Sequence, residues 1–200
     1  MVAHEINWRS MMLRNAKQAG RYKQLMGLPE ALVGEIINGQ LHTQARPAGP
    51  HALACSSLEI DIGSAYHKGR GGPGGWWIFV EPELHFVRDT EVLVPDLAGW
   101  HRERMPRVPE DQRFEVVPDW VCEVLSPATA KKDRIQKMPV YARYGMSYLW
   151  LVDPLARTLE TFELHDGRWV MSGVFKDDDQ VSVPPFTEIA LALSELWVEA

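Results

Sequence analysis

Cysteine is scarce in this chain: 200 residues hold two, Cys55 and Cys122. Their separation excludes a disulfide scaffold or a cysteine-rich zinc module. It points to small core residues in a reducing compartment, which we take to be the cytoplasm. The seven histidines show no ligand-like spacing, so zinc is not expected either. Nowhere do about 18 apolar residues run together, so no membrane span is expected. The N-terminus, MVAHEINWRSMMLRNAKQAGRYK, is basic but lacks the apolar run and small-residue cleavage site of a secretory leader. There is no internal repeat and no linker-like stretch. The expected organisation is a helical extension over residues 1–21 and a single domain over 22–200.

What is present suits a packed globule. Hydrophobic residues make up 46% of the chain, enough to close a core without metal or disulfide staples. The net charge of −6 argues against a nucleic-acid partner until its distribution is read. Residues 159–200 hold nine acids against Arg168 and Lys176, whereas residues 127–145 carry Lys131, Lys132, Arg134, Lys137 and Arg143 against Asp133 alone. A basic segment therefore sits in the middle of an acidic chain.

The periodicity sets a coarse order. VGEIINGQLHT (33–43) is a hairpin, since Asn38-Gly39 supplies the two positive-φ residues of a type I′ turn. Pro50 suits a helix first turn, and Ala54, Leu58, Ile62 and Ala65 recur at helical spacing behind it. GRGGPGG (69–75) is a loop; it lacks the Lys-Ser/Thr ending of a phosphate-binding loop. WWIFV, ELHFV and VLVPDLAGW (92–100) read as strands. DWVCEVLS (119–126) is an apolar strand interrupted by one acid, TAKKDRIQKMPVYARYG (129–145) a basic amphipathic helix, and SYLWLVDP (147–154) a buried strand. The segments 158–164 and 168–175 and the VSVPPF stretch form an antiparallel meander, and 190–197 reads as a closing helix. The order predicts a mixed α/β (α+β) fold with helices packed on a mixed sheet.

Three acids stand where apolar residues belong: Glu35, Asp96 and Glu123. A carboxylate leaves water at a cost unless it is paired or binds a cation. If the strands of Asp96 and Glu123 are neighbours, their carboxylates share one end of the sheet and suit Mg²⁺ or Mn²⁺. Such an ion lowers the pKa of water and shields a phosphodiester's charge, and a nearby lysine stabilises the charge that develops. The plainer alternative has Asp96 capping a turn after Pro95 and Glu123 paired with a core arginine.

Taken in order, GEIINGQL, PAGPH, VLVPDL, VCEVLSPAT, KKDRIQKMPVYARYG and SYLWLVDP resemble the Uma-two family of restriction-endonuclease-like proteins, within the PD-(D/E)XK nuclease superfamily. The resemblance covers residues 22–197. It implies a restriction-endonuclease-like fold, with a central mixed sheet flanked by helices, and magnesium-dependent cutting of DNA. Asp96 then matches the aspartate of the PD pair and Glu123 the acid of the (D/E)XK element. Both would ligate metal, with the Val124 carbonyl as a further ligand. Glu35 and His51 match positions near the same cavity.

Two residues depart from the pattern. Leu125 stands where the superfamily has lysine; in this family the lysine moves to the following helix, where Lys137 matches, with Lys131 and Lys132 as alternatives. Pro139 disturbs that helix, because inside one it removes a hydrogen bond and costs about 3 kcal/mol. Gly34 replaces the tyrosine that the family places before Glu35.

Blander readings stand beside these. His51 caps or packs, Ser126 is a turn residue, and Lys131, Lys132 and Arg134 form either a solvated face or phosphate contacts. Three functions compete: a DNA endonuclease, best served by a homodimer with one site per strand; a catalytically silent module of the same fold that binds nucleic acid or a partner protein; and a phosphoesterase acting on small nucleotides.

Overall fold

The computed structural model describes residues 20–46 and 48–198. All but the end of the expected N-terminal extension lies outside them; residues 20–26 are helical. The hairpin forms as its turn dictates: β1 (Leu32–Ile37) and β2 (Gln40–Ala45) pair around Asn38 and Gly39, at φ 49° and 69°. Gly34 in β1 has a packing reason. A Cβ there would come within 2.4 Å of the Leu28 side chain and 3.3 Å of Leu25, so the helical segment closes on bare backbone.

Helix α1 (Gly49–Ile62) starts at Pro50, continues through a wider π turn (Gly63–His67), and buries Ala54, Leu58 and Ile62. The next strands are β3 (Trp76–Val80), β4 (Glu83–Val87) and β5 (Glu91–Leu93). The expected single strand over 92–100 is two strands in two different sheets: β5, then β6 (Leu97–His101). Pro95 separates them because it has no amide to give a ladder. The chain crosses between sheets there, and Asp96 sits in the bend rather than within a strand.

After the short β7 (Arg113–Phe114), β8 (Trp120–Val124) is buried throughout. Helix α2 is composite: Ala130–Lys132 opens it, Asp133–Lys137 make a π turn, and Met138–Arg143 complete it. The wider turn precedes Pro139, which the sequence marks as a break. Proline cannot donate and clashes with the carbonyl four residues back; here Met138 N–H reaches back five residues to Asp133. The wide turn leaves Asp133 and Lys137 buried on one side.

The chain then forms β9 (Tyr148–Asp153), β10 (Thr158–His165), β11 (Arg168–Lys176), β12 (Gln180–Val183) and β13 (Phe186–Ala192). The helix expected over 190–197 is not one. Residues 186–192 are strand, since Gln180 pairs with Ala192, and one 3₁₀ turn follows at Leu193–Leu196. Alternation around the buried Leu191 and Leu193 carries the strand pattern.

Six strands in the order β11-β10-β9-β8-β6-β3 make the central sheet. It is mixed, with β8 parallel to β9 and antiparallel to β6. On one face Ala54, Leu58 and Ile62 of α1, with Phe186 and Leu191, pack on Leu97, Cys122, Val124 and Trp150. On the other, Val140 and Tyr141 of α2, with Leu84 and Leu93 of the five-stranded sheet β2-β1-β5-β4-β7, pack on Ala98, Val121, Leu149 and Leu151. The expected mixed fold with a C-terminal antiparallel meander is present.

Candidate functional site

The site lies where β6 begins and β8 ends. Leu97 pairs with Cys122, so Asp96 and Glu123 extend the same register by one residue on adjacent strands. Asp96 Oδ2 accepts the Val124 N–H at 2.7 Å, tying the bend to β8. Its other oxygen is 3.1 Å from His51 Nε2, on the first turn of α1. One helical turn further, Cys55 Sγ lies 3.5 Å from His51 Nδ1. Within this trio, one ligand atom from each residue lies within 4.8 Å of the other two.

Glu123 is held from the opposite layer. Lys137 Nζ, from the π turn of α2, is 2.7 and 2.8 Å from its two carboxylate oxygens, and Tyr141 Oη donates to one of them. The same ammonium is 2.9 Å from Glu35 Oε1 and donates to the Val94 carbonyl at 3.2 Å. Glu35 also accepts the Val94 N–H at 3.0 Å and pairs with Lys132 at 2.5 Å; Lys132 donates as well to Gln44 of β2. Asp133 Oδ1 stands 3.9 Å from Lys137. Glu35, Glu123, Asp133 and Lys137 are all buried.

Two elements thus share one lysine. Glu35 comes in on β1 at the five-stranded sheet, Glu123 on the central sheet, and Lys137 bridges them from α2. The position of Leu125, just past the end of β8, where a lysine is absent, is filled by core packing.

The electrostatics follow from burial. Four carboxyl groups (Glu35, Asp96, Glu123, Asp133) face two lysines, Lys132 and Lys137, so acids outnumber bases in the cluster. Burial pushes the Glu123 carboxyl well up. Lys137 opposes this, while the charges of Asp133, Asp96 and Glu35 add to it. Burial also raises Asp133. Glu35 goes the other way: burial would raise it, but Lys137, Lys132 and the Val94 amide outweigh that and hold it below the ordinary carboxylate range. Burial works to neutralise Lys137, yet Glu123 and Glu35 hold its ammonium protonated above the usual lysine range.

Of the residues singled out in the sequence, Asp96, Glu123, Lys137, Glu35 and His51 converge. The three basic residues of α2 expected to meet nucleic acid, Lys131, Lys132 and Arg134, separate. Lys132 turns inward to Glu35. The Arg134 guanidinium is taken bidentately by Glu160 of β10, at 2.8 and 2.5 Å. Lys131 is exposed and has no ion pair among the described residues. A cavity of about 300 Å³ opens beside His51, lined by Gln44, Arg46 and the Ser126–Thr129 turn.

Four residues of the cluster escaped sequence reasoning, among them Asp133, which lies four residues before Lys137. Tyr141 lies four residues beyond Lys137, and Cys55 four beyond His51; each spacing places two side chains on one helix face. That signal was available but is also what core packing looks like. Gln44 gives no local signal.

Comparison with known proteins gives two matches and one blank. Residues 21–194 match the model of the Uma2 family, described as "putative restriction endonuclease". A solved structure described as "a putative nuclease belonging to DUF820 from Anabaena variabilis" is similar over 88% of this chain and 96% of that one, with a TM-score of 0.68 and 24% identity. No curated protein matches the sequence.

Proposed function

The chain belongs to the Uma2 family, and on that premise we propose that it is a metal-dependent endonuclease that hydrolyses phosphodiester bonds in DNA. The observation that carries the proposal is the contact of Lys137 with Glu123 beside Asp96. The acid–lysine pair of a (D/E)XK element is rebuilt in space from a strand and a helix.

The donor set suits a hard divalent cation. Asp96, Glu123 and the Val124 carbonyl offer oxygen ligands, and the acids of the cluster outnumber its lysines, so a cation would relieve the repulsion that raises Glu123. These residues would hold Mg²⁺ or Mn²⁺, which when bound neutralises phosphate charge and makes water more acidic. The chain's own groups do the rest. The Lys137 ammonium, charged at all working pH values, stabilises the negative charge that gathers on the phosphoryl oxygens as water attacks phosphorus in line with the departing oxygen. Glu35 and the Val94 carbonyl fix Lys137 in place. His51 orients Asp96, and Tyr141 orients Glu123. The cavity beside His51 admits the DNA backbone, with Arg46, released from its exposed pair with Glu81, and the exposed Lys131 serving its phosphates.

Cleavage of both strands would be served by two copies of the chain. The two unpaired cysteines are consistent with a reducing cytoplasm.

Purified protein with supercoiled plasmid and Mg²⁺ or Mn²⁺ tests the proposal. Nicking that falls at least about a hundredfold in folded Asp96→Asn and Glu123→Gln variants is the expected result. Equal cutting by either variant contradicts the assignment. One observation favours a second reading, a silent nuclease-fold module. Both Glu123 oxygens are taken by Lys137 and Tyr141, and both Asp96 oxygens by His51 and Val124. DNA binding without cutting under either metal would establish that reading instead.

A further inference from the structure

His51, Cys55 and Asp96 cluster at the edge of the site, Cys55 against one ring nitrogen of His51 and Asp96 against the other, and the nuclease mechanism uses neither Cys55 nor any sulfur. We propose that these three side chains form a second metal site, selective for a thiophilic divalent ion of the zinc class, and that it shares Asp96 with the hard-cation position. The binding itself stands on geometry alone; the sharing rests on the assignment of Asp96 above.

Four observations lead to it. First, an imidazole, a thiol and a carboxylate supply one N, one S and one O ligand atom, all within 4.8 Å of one another. A tetrahedral zinc-class ion sets its ligand atoms about 3.5 Å apart. Cys55 now faces Nδ1 of His51 and Asp96 faces Nε2, so binding one ion requires one of the two side chains to move to the other ring nitrogen. Second, His51 and Cys55 sit four residues apart on α1, a rigid element that brings both to the same face. Third, the donors choose the metal: Mg²⁺ shuns sulfur, whereas zinc-class ions accept imidazole, thiolate and carboxylate together. Fourth, a three-residue site needs a fourth ligand, and His51 lines the 300 Å³ cavity, from which water reaches the ion. On binding, the Cys55 thiol gives its proton to solvent and its sulfur to the ion, with no change in oxidation state. An Asp96 drawn onto this ion no longer serves the pair with Glu123, so the two sites exclude one another.

Co²⁺ serves as the probe, because a thiolate bound to it gives a charge-transfer absorption that oxygen and nitrogen ligands do not. Titrating the full chain with Co²⁺ is expected to raise that band to one equivalent, and one equivalent of Zn²⁺ to abolish it. Cys55→Ser is expected to lose the band, and Asp96→Asn and His51→Gln to weaken Co²⁺ binding at least about tenfold, the loss expected for removing one ligand from such a site. The absence of the band in the wild-type chain overturns the proposal. A band that persists in Cys55→Ser overturns it too, since the thiolate would then be Cys122. So does unchanged affinity in Asp96→Asn. DNA cleavage plays no part in this readout, so failure of the nuclease assignment and failure of the thiolate site show up separately.

Discussion

Glu35 carries a buried negative charge held between two ammonium groups. Replacing it by glutamine leaves Lys137 and Lys132 with one fewer counter-charge, and a buried pair broken in this way loses about 3–5 kcal/mol. The pH dependence has a definite sign. Its carboxyl titrates below the ordinary range in the folded chain, so its stabilisation is complete above the unfolded value of about 4.3 and fades as pH falls through the lower folded value. Denaturant titrations of wild type and Glu35→Gln should differ most near neutrality, and the gap should narrow as pH falls below the unfolded value of about 4.3. A gap that widens on acidification would contradict the assigned direction. Glu35, Asp96 and Glu123 were legible in the sequence because an acid in an apolar strand is costly and therefore conspicuous. Cys55 and Tyr141 were not, because a thiol and a phenol on a helix's inner face look like core.

Among the elements, the central β3–β6–β8 pairing depends on one position without a side chain. A Cβ at Gly99 of β6 would meet Ile78 Cδ1 at 3.0 Å and the rings of Trp120 and Trp76 at 3.2 Å. These rings are packed among Phe186 and Trp150 and have little room to give. Gly99→Ala is expected to cost about 1–3 kcal/mol, read as a lower denaturant midpoint at unchanged slope. A neutral substitution would show that the aromatic layer is loosely packed. At this scale the hairpin turn, α1 and the strand β8 followed from local patterns. The split at Pro95, the π turn before Pro139 and the strand over 186–192 did not. Each depends on which sheet or layer the neighbouring residues join, and that is a long-range choice.

For the whole molecule, the charge map of the fold differs from that of the chain. Five basic residues in 127–145 promise a broad phosphate-binding face, but folding directs Lys132 and Lys137 into the site and pairs Arg134 with Glu160. Few cations are left for phosphate: Lys131 is exposed with no ion pair among the described residues, and Arg46 at the cavity has only an exposed pair with Glu81 at 3.5 Å. DNA binding by the Glu123→Gln variant should therefore depend only weakly on salt, with a log–log slope of about −2 to −3. Glu160→Gln in that background releases Arg134, steepening the slope by about one and tightening binding. A slope near −5, or no response to Glu160→Gln, would mean that the internal pair opens to meet phosphate. Mixed architecture and the order of the motifs were readable from the linear chain. The neutralisation of its basic segment was not, because Glu35, Glu123 and Glu160 reach Lys132, Lys137 and Arg134 only in three dimensions.

The account turns on Asp96 and Glu123 jointly holding a divalent cation. Anomalous scattering from a crystal soaked in Mn²⁺ measures this directly. The result expected is a single strong peak in contact with both carboxylates, with Lys137 still beside Glu123. No peak there, with Glu123 still closed on Lys137 and Tyr141, would contradict it.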